Sequence, residues 1–502
     1  MRILSSEEIR QVEQKAFQNG KTELQLMRRA GAEVTNVIVS HYNLEKTPKK
    51  VSVVCGNGKN GGDGFVIAKL LKQIGCGVRI IIVDAMPKIS ECVTVFDEAV
   101  EFGVPYEKFS DETSFDDDII VDCMFGIGFH GDAKGVFKSA IDKVNASKAE
   151  VVAVDVPSGT DSFVGAVSKS CIKADLTVAI STLKYAHVLP PSNEFCSKTV
   201  TVDIGIEDFC YDVVKSDYKT IEPDYVKSCF KPRGFNSNKG SYGKLLCLCG
   251  SYTMPGAGII STSSALRSGA GLVTCAFPRA AYSAMTSHLV SSLFMPLGSE
   301  NQEKFSPSCA EQISASLPSY SAVLLGCGIG QGEEVADFVS QIMKNTDAPI
   351  ILDADGINAA ASRIDMLRER TVITPHPGEM ARLVGKTVSE VQASRIDTAV
   401  SFAKQHGVIV VLKGATTIVT DGEKVFVNTT GNPGMAKGGT GDMLAGMIAS
   451  FAAQGMSLLD AAVSAVYIHG MCGDKCAEEL SMAGMTVQDM IEVLPKLLSD
   501  FE

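Results

Sequence analysis

Short apolar runs rich in Val and Ile alternate along this chain with longer stretches of mixed character. The early runs cover residues 51–55, 78–83, 119–122, 151–155 and 176–180. Between the first two, Phe65, Ala68 and Leu71 recur at the spacing of an amphipathic helix. Runs this short and this apolar fit strands covered on both faces, and their alternation with helical stretches predicts parallel βαβ units. The pattern lapses over residues 207–223, which are polar and acidic. It resumes at 244–249, 323–325, 349–353, 372–374 and 408–412. A pair at 416–420 and 424–428 then flanks Asp421-Gly422, a strong hairpin signal. Two α/β domains in series are expected, over residues 1–220 and 225–502. Ligands of such sheets sit outside the carboxyl ends of the strands, so the residues after each run carry the chemistry.

Composition narrows the class. A chain of 502 residues supports more than one core, and 45% hydrophobic content excludes disorder as the main description. The 58 acidic and 46 basic side chains give a net charge of −12 without a basic cluster, so no nucleic-acid partner is expected. Fifteen cysteines, an odd count with no Cys-x-x-Cys, read as buried thiols in a reducing compartment. The N-terminus offers Ser5 and Glu8 as a helix capping box instead of an apolar signal region. No run reaches the ~18 apolar residues of a membrane span. A cytoplasmic, soluble protein is the expectation.

Three strand ends in the first half carry polar groups. The first is followed by Gly56-Asn57-Gly58-Lys59-Asn60-Gly61-Gly62-Asp63-Gly64 and a helix. Glycines there would let backbone N–H groups approach a phosphate at a helix N-terminus. The second run ends in Asp122 and leads into Phe125-Gly126-Ile127-Gly128-Phe129-His130-Gly131-Asp132; the third ends in Asp155 and leads into Val156-Pro157-Ser158-Gly159. Either aspartate alone would read as a turn cap. Together, Asn60, Asp122 and Ser158 present oxygens that suit a hard cation better than zinc.

These motifs resemble, over about residues 1–215, the epimerase domain of the NAD(P)H-hydrate repair enzymes, a Rossmann-like parallel-sheet fold. The resemblance implies that hydrated NADH or NADPH is bound by Lys59, Asn60, Gly61, Gly62 and Asp63 and by Gly126, Ile127, Gly128, Phe129, His130, Gly131 and Asp132. It also implies Asp155 at the reacting ring, and potassium on Asn60, Asp122 and Ser158. Related sequences commonly carry Asn at the position of Lys59. A carbon bearing a hydroxyl next to nitrogen can epimerise by opening and readdition, so one carboxylate that shuttles a proton suffices; Asp155 is the candidate.

In the second half the strongest feature is Asn432-Pro433-Gly434-Met435-Ala436-Lys437-Gly438-Gly439-Thr440-Gly441-Asp442. Met443, Leu444, Met447, Ile448 and Phe451 then recur as one buried helix face. Thr440 and Gly441 fall at that helix's N-terminus, where free N–H groups favour phosphate, and the same field is expected to keep Asp442 ionised. No P-loop occurs. Lys413-Gly414-Ala415-Thr416-Thr417 and Gly326-Cys327-Gly328 each follow a strand, and two prolines frame His376 in Thr374-Pro375-His376-Pro377-Gly378-Glu379.

With Gly250-Ser251-Tyr252-Thr253-Met254-Pro255-Gly256-Ala257-Gly258, these motifs resemble the dehydratase domain of the same enzymes, a ribokinase-like α/β fold spanning about residues 225–502. The resemblance implies nucleotide contacts at Lys413, Gly414, Ala415, Thr416, Thr417 and Gly441. It implies substrate contacts at Ala257, Gly328, His376 and Asp442, with Asp442 catalytic. ADP with magnesium, and a homo-oligomer, are also implied. Related sequences often carry His where Asn238 stands, and that segment is not assigned to the site. The alternative is a ribokinase-like vitamin-precursor kinase fused to a non-catalytic nucleotide-binding domain.

Overall fold

A computed structural model describes residues 1–162 and 164–502. The chain divides into two compact units, Met1–Ser216 and Asp217–Glu502. The first holds a seven-stranded sheet of β1 Lys50–Cys55, β2 Gly77–Ile82, β3 Tyr106–Lys108, β4 Ile119–Cys123, β5 Glu150–Val154, β6 Leu176–Ile180 and β7 Lys198–Val202. Its order is β3-β2-β1-β4-β5-β6-β7 and every pairing is parallel. Both faces are covered, so β1 is buried from Val51 to Cys55 without alternation. The chain reverses direction of travel between β1 and β4, which opens a crevice at their carboxyl ends.

The helix after β1 spans Lys59–Gln73 and buries Phe65, Ile67, Ala68 and Leu71. It begins inside the glycine run, ahead of the apolar spacing that opens at Phe65, so Asn60 to Asp63 fall at its start. The glycines there answer to packing. A Cβ on Gly56 would lie 2.2 Å from the Met124 carbonyl oxygen, one on Gly61 2.1 Å from that of Gly56, and one on Gly64 2.7 Å from Cys55 Sγ. The first helix, Ser6–Gln18, opens on the Ser5/Glu8 capping box read from the sequence.

The second unit holds ten strands: β8 Asp217–Thr220, β9 Lys244–Leu248, β10 Leu272–Pro278, β11 Leu293–Leu297, β12 Ala322–Leu325, β13 Ile350–Leu352, β14 Thr371–Ile373, β15 Ile409–Leu412, β16 Ile418–Thr420 and β17 Lys424–Val427. Their order is β11-β10-β9-β12-β13-β14-β15-β16-β17-β8, with antiparallel pairing only at β15-β16-β17. The hairpin turns at Gly422, whose φ is +96°. β8 lies in the stretch expected to separate the domains; it pairs in parallel with β17 as an edge of this sheet. The reversal here falls between β9 and β12.

Helix Thr440–Ala453 is buried without a break from Met443 to Ala453, and it packs against helix Pro255–Arg267. Gly446 permits that approach, because a Cβ there would lie 2.2 Å from the Ser261 carbonyl oxygen and 2.3 Å from Ser264 Oγ. Gly446→Ala is therefore expected to destabilise this unit by about 1–3 kcal/mol through overpacking. Urea unfolding of the variant beside the parent checks it.

Candidate active sites

At the first crevice a cavity of about 780 Å³ opens, within the roughly 300–1,000 Å³ of small-molecule sites. Of the residues expected there, Lys59, Asn60, Asp63, Gly126, Ile127, Gly128, Phe129, His130 and Asp155 line it. Gly61 and Gly62 do not. They are buried in the first helical turn, where a Cβ on Gly62 would meet Met27 Sδ at 2.6 Å. Gly131 and Asp132 also lie outside the lining, with Asp132 accepting a hydrogen bond from the Lys169 N–H at 3.1 Å.

Asp155 is 7% exposed and sits at φ +67°, a conformation non-glycine residues rarely take. Lys184 Nζ donates to its Oδ1 at 2.5 Å, and the Ile180 N–H donates to the same oxygen at 3.3 Å. Lys184 thus places a cation beside Asp155, and sequence patterning does not mark this residue. His187 Nδ1 accepts from the Lys184 N–H at 2.9 Å, which leaves Nε2–H to donate to the Asp155 carbonyl oxygen at 2.6 Å. Burial pushes this imidazole down to about 4, so it is neutral near pH 7. Across the cavity, burial raises the Asp63 carboxyl well above its ordinary value, with the Asp155 and Glu13 charges adding to it.

Of the three expected cation ligands, Asp122 and Ser158 bond to each other, and Asn60 meets Ser158 at the Phe125 carbonyl oxygen. Asp122 Oδ1 accepts from Ser158 Oγ at 2.6 Å and Oδ2 from the Ser158 N–H at 2.8 Å. Asn60 Nδ2 donates to the Phe125 and Val154 carbonyl oxygens at 2.9 and 3.2 Å. Its Oδ1 is buried and has no hydrogen-bond partner. An orphaned oxygen beside an all-oxygen cluster is the arrangement a hard cation satisfies.

In the second unit, Asp442 stands in the first turn of helix Thr440–Ala453, next to Asp353 and Cys327, with ligand atoms of all three within 4.8 Å. Burial raises the Asp442 carboxyl to about 7, with the Asp353 charge adding to burial and the Cys327 hydrogen bond and Lys413 opposing it. The helix field expected to keep this group ionised is outweighed. Asp353 is 1% exposed and takes Lys413 Nζ at 2.9 Å and Thr374 Oγ1 at 2.5 Å on Oδ1. Burial opposes the Lys413 charge, but Asp353 and Glu379 restore it and raise the ammonium's pKa. Lys413 Nζ lies 3.2 Å from where a Cβ on Gly441 would be, so the loop Lys413 to Thr417 and the helix start meet there. Asp353 closes its strand run as Asp122 and Asp155 close theirs, a signal that could have marked it.

Gly328 and Ala257 face each other so closely that a Cβ on Gly328 would lie 2.6 Å from that of Ala257. His376 caps helix Pro377–Val384: its Nδ1 accepts from the N–H groups of Gly378 and Glu379 at 3.0 and 3.2 Å. Its Nε2 lies 3.5 Å from Glu379 Oε1, and the side chain is still 52% exposed, which leaves an open ring edge to meet a ligand. The loop Lys413 to Thr417 is held from behind by Arg395, 4% exposed, whose Nη2 donates to the carbonyls of Leu412, Lys413 and Thr416 at 3.2, 3.2 and 2.8 Å. Arg395→Met would remove these three hydrogen bonds at a cost of about 1–3 kcal/mol. For the nucleotide that the resemblance assigns to this loop, KM is expected to rise about tenfold, with the activity implied for the first unit unchanged, as steady-state kinetics would show.

Comparison with known proteins covers both units. Residues 23–186 match the family described as YjeF-related protein N-terminus, and residues 245–496 that described as NAD(P)H-hydrate dehydratase. The bifunctional NAD(P)H-hydrate repair enzyme Nnr of Moorella thermoacetica is 31% identical over 491 residues, covering 95% of this chain and 92% of that protein. Its counterpart in Thermofilum pendens is 32% identical over 520 residues, covering 100% and 98%. A ribokinase-like superfamily protein of Enterococcus faecalis superposes with a TM-score of 0.51 at 24% identity, over 57% of this chain and 96% of its own; this likeness establishes the fold of the second unit. Along its whole length, this chain belongs to the family of bifunctional NAD(P)H-hydrate repair enzymes.

Proposed function

We propose that the unit Met1–Ser216 interconverts the R and S hydrates of NADH and NADPH at the Asp155 cavity, and that Asp217–Glu502 dehydrates the S form with ADP. The observation that carries this reading is that both matched halves lie in one chain, with buried Asp155 at the strand ends of the first and buried Asp353 beside Asp442 at those of the second. In the first site Asp155 takes the proton of the ring hydroxyl as the C–N bond opens. The electron pair goes to nitrogen, and reclosure on the other face returns the proton. Potassium fits Asn60, Asp122 and Ser158 and would supply positive charge beside the ring.

In the second site Asp442 removes the proton of the substrate hydroxyl, whose oxygen attacks the β-phosphorus of ADP; AMP departs. The ring nitrogen's lone pair then expels phosphate, and loss of a proton from the neighbouring carbon restores the reduced nicotinamide. Hydroxide leaves poorly and phosphate well, which is the purpose of the transfer. Thr440 and Gly441 N–H groups and Lys413 would meet the charge on the transferred phosphoryl group. Magnesium fits as a companion of the nucleotide phosphates. The Cys327, Asp353 and Asp442 cluster includes a thiol that magnesium does not take, and Asp353 Oδ1 is already occupied. The fifteen free cysteines fit work in the reducing cytoplasm. Among the described residues, no helix is long and apolar enough to cross a membrane.

Incubating the protein with a mixture of hydrated NADH epimers and either ADP or ATP tests the proposal. Full recovery of reduced-nicotinamide absorbance with AMP and phosphate as products supports it. Turnover with ATP alone would move the donor, and a stable phosphorylated product without phosphate release would make the second unit a kinase.

A further inference from the structure

Asp155 is held by two residues of one short segment, in two different ways. Lys184 Nζ binds its side chain at Oδ1, and His187 Nε2–H binds its backbone oxygen. Both lie on or beside the single turn Tyr185–Val188, and the Lys184 N–H to His187 Nδ1 bond joins them. Lys184 is 1% exposed, and its ammonium is further fixed by the Ile180 carbonyl oxygen at 2.6 Å. A buried ammonium is costly unless paired, and here the partner is a carboxylate that lines the cavity.

The outcome of this clamp is an asymmetric carboxylate. Oδ1 is engaged by Lys184 and by the Ile180 N–H. Oδ2 points to the Gly126 turn, 3.6 Å from where a Cβ on Gly126 would be. The left-handed backbone of Asp155 would relax without support, because aspartate gains nothing from φ +67° on its own. The neutral imidazole of His187 supplies that support from behind.

We infer that Lys184 and His187 are positioning residues for epimerisation: Lys184 orients Asp155 and balances its charge so that Oδ2 faces the substrate hydroxyl, and His187 locks the strained backbone that makes this possible. This inference rests on Asp155 being the proton-transferring group. No proton leaves Lys184 in the cycle; its ammonium only offsets the carboxylate's charge.

The test uses the full chain and hydrated NADH, with epimerisation followed by conversion of the R form, and dehydration of the S form as a check that the rest of the chain is intact. Asp155→Asn is the reference and should abolish epimerisation; an active Asp155→Asn protein refutes the reading on which the inference rests. Given an inactive reference, Lys184→Met should lower epimerase kcat about 100-fold, the cost of displacing a reacting group by about 1 Å, with KM within about twofold. Lys184→Arg, which keeps the charge, should recover at least about tenfold of that loss. His187→Phe should lower kcat about tenfold, again without a change in KM. Lys184→Gln serves the same test should Lys184→Met fail to fold, as judged by thermal unfolding. Parent-like kcat in folded Lys184→Met or Lys184→Gln would overturn the inference, and so would a loss confined to KM or one that Arg does not relieve.

Discussion

Asp442→Asn is expected to lower the dehydration kcat by about 10²–10⁴-fold, the usual contribution of a general base, while epimerisation continues at the parent rate. Asparagine keeps the size of the side chain and the start of helix Thr440–Ala453, so the N–H groups of that turn stay in place; what it cannot do is accept a proton. The wild-type carboxyl is pushed up to about 7 by burial, with the Asp353 charge adding to it. A base whose pKa lies near the working pH combines a useful ionised fraction with real proton affinity. The direction of the pH dependence follows. Below about pH 7 the carboxyl is protonated and cannot act, so dehydration kcat/KM should fall on the acid side and level off above it. In Asp442→Asn that acid limb should vanish from the residual rate. A limb that persists in the variant would assign the base to another group. Loss of epimerisation in a folded Asp442→Asn protein would contradict the separation of the two sites into the units Met1–Ser216 and Asp217–Glu502.

The parts of these sites that could be read from sequence are those in which chemistry and backbone constraint occupy consecutive residues. The Gly56 to Gly64 run and the Gly438 to Asp442 run each carry the chain from a strand or loop into the first turn of a helix, so local pattern places Asn60, Asp63 and Asp442 near a helix start. The meaning of individual glycines was less legible. Gly56, Gly61 and Gly64 allow backbone and side chains to close upon one another, and only the folded neighbours reveal whether a missing Cβ serves a ligand or a packing contact. Lys184 and Arg395 escaped because their partners are remote in sequence: Lys184 reaches back 29 residues to Asp155 and Arg395 forward 17 to 21 residues to three carbonyl oxygens. β8, with the sequence Asp-Tyr-Lys-Thr, has no apolar signature, since its place is fixed by the ladder it shares with β17. The Asp442 charge state failed for a related reason. A helix N-terminus favours the anion by roughly 0.3–1 kcal/mol at exposed sites, and burial beside a second carboxylate, which no local sequence signal reports, outweighs that.

Asp155→Ala is expected to abolish epimerisation and leave dehydration intact, and a mixture of hydrate epimers makes the difference visible in one trace. With the parent protein and excess nucleotide, reduced-nicotinamide absorbance should rise to full recovery, because R hydrate is converted to S as S is consumed. With Asp155→Ala the rise should stop at the S fraction and creep onward only at the uncatalysed rate. The expected loss of about 10²–10⁴-fold reflects removal of the proton-transferring group itself, as distinct from its misplacement in the Lys184 variants. Alanine also leaves the Lys184 ammonium, 1% exposed, without its carboxylate, a penalty of several kcal/mol for an unpaired buried ion. Asp155→Asn separates the two effects: it preserves an oxygen for Lys184 yet cannot carry the proton. Equal plateaus for both variants, with Asp155→Asn unfolding near the parent temperature, would assign the loss to chemistry. Full recovery by Asp155→Asn with an inactive Asp155→Ala would show instead that the carboxylate's contribution is to hold Lys184.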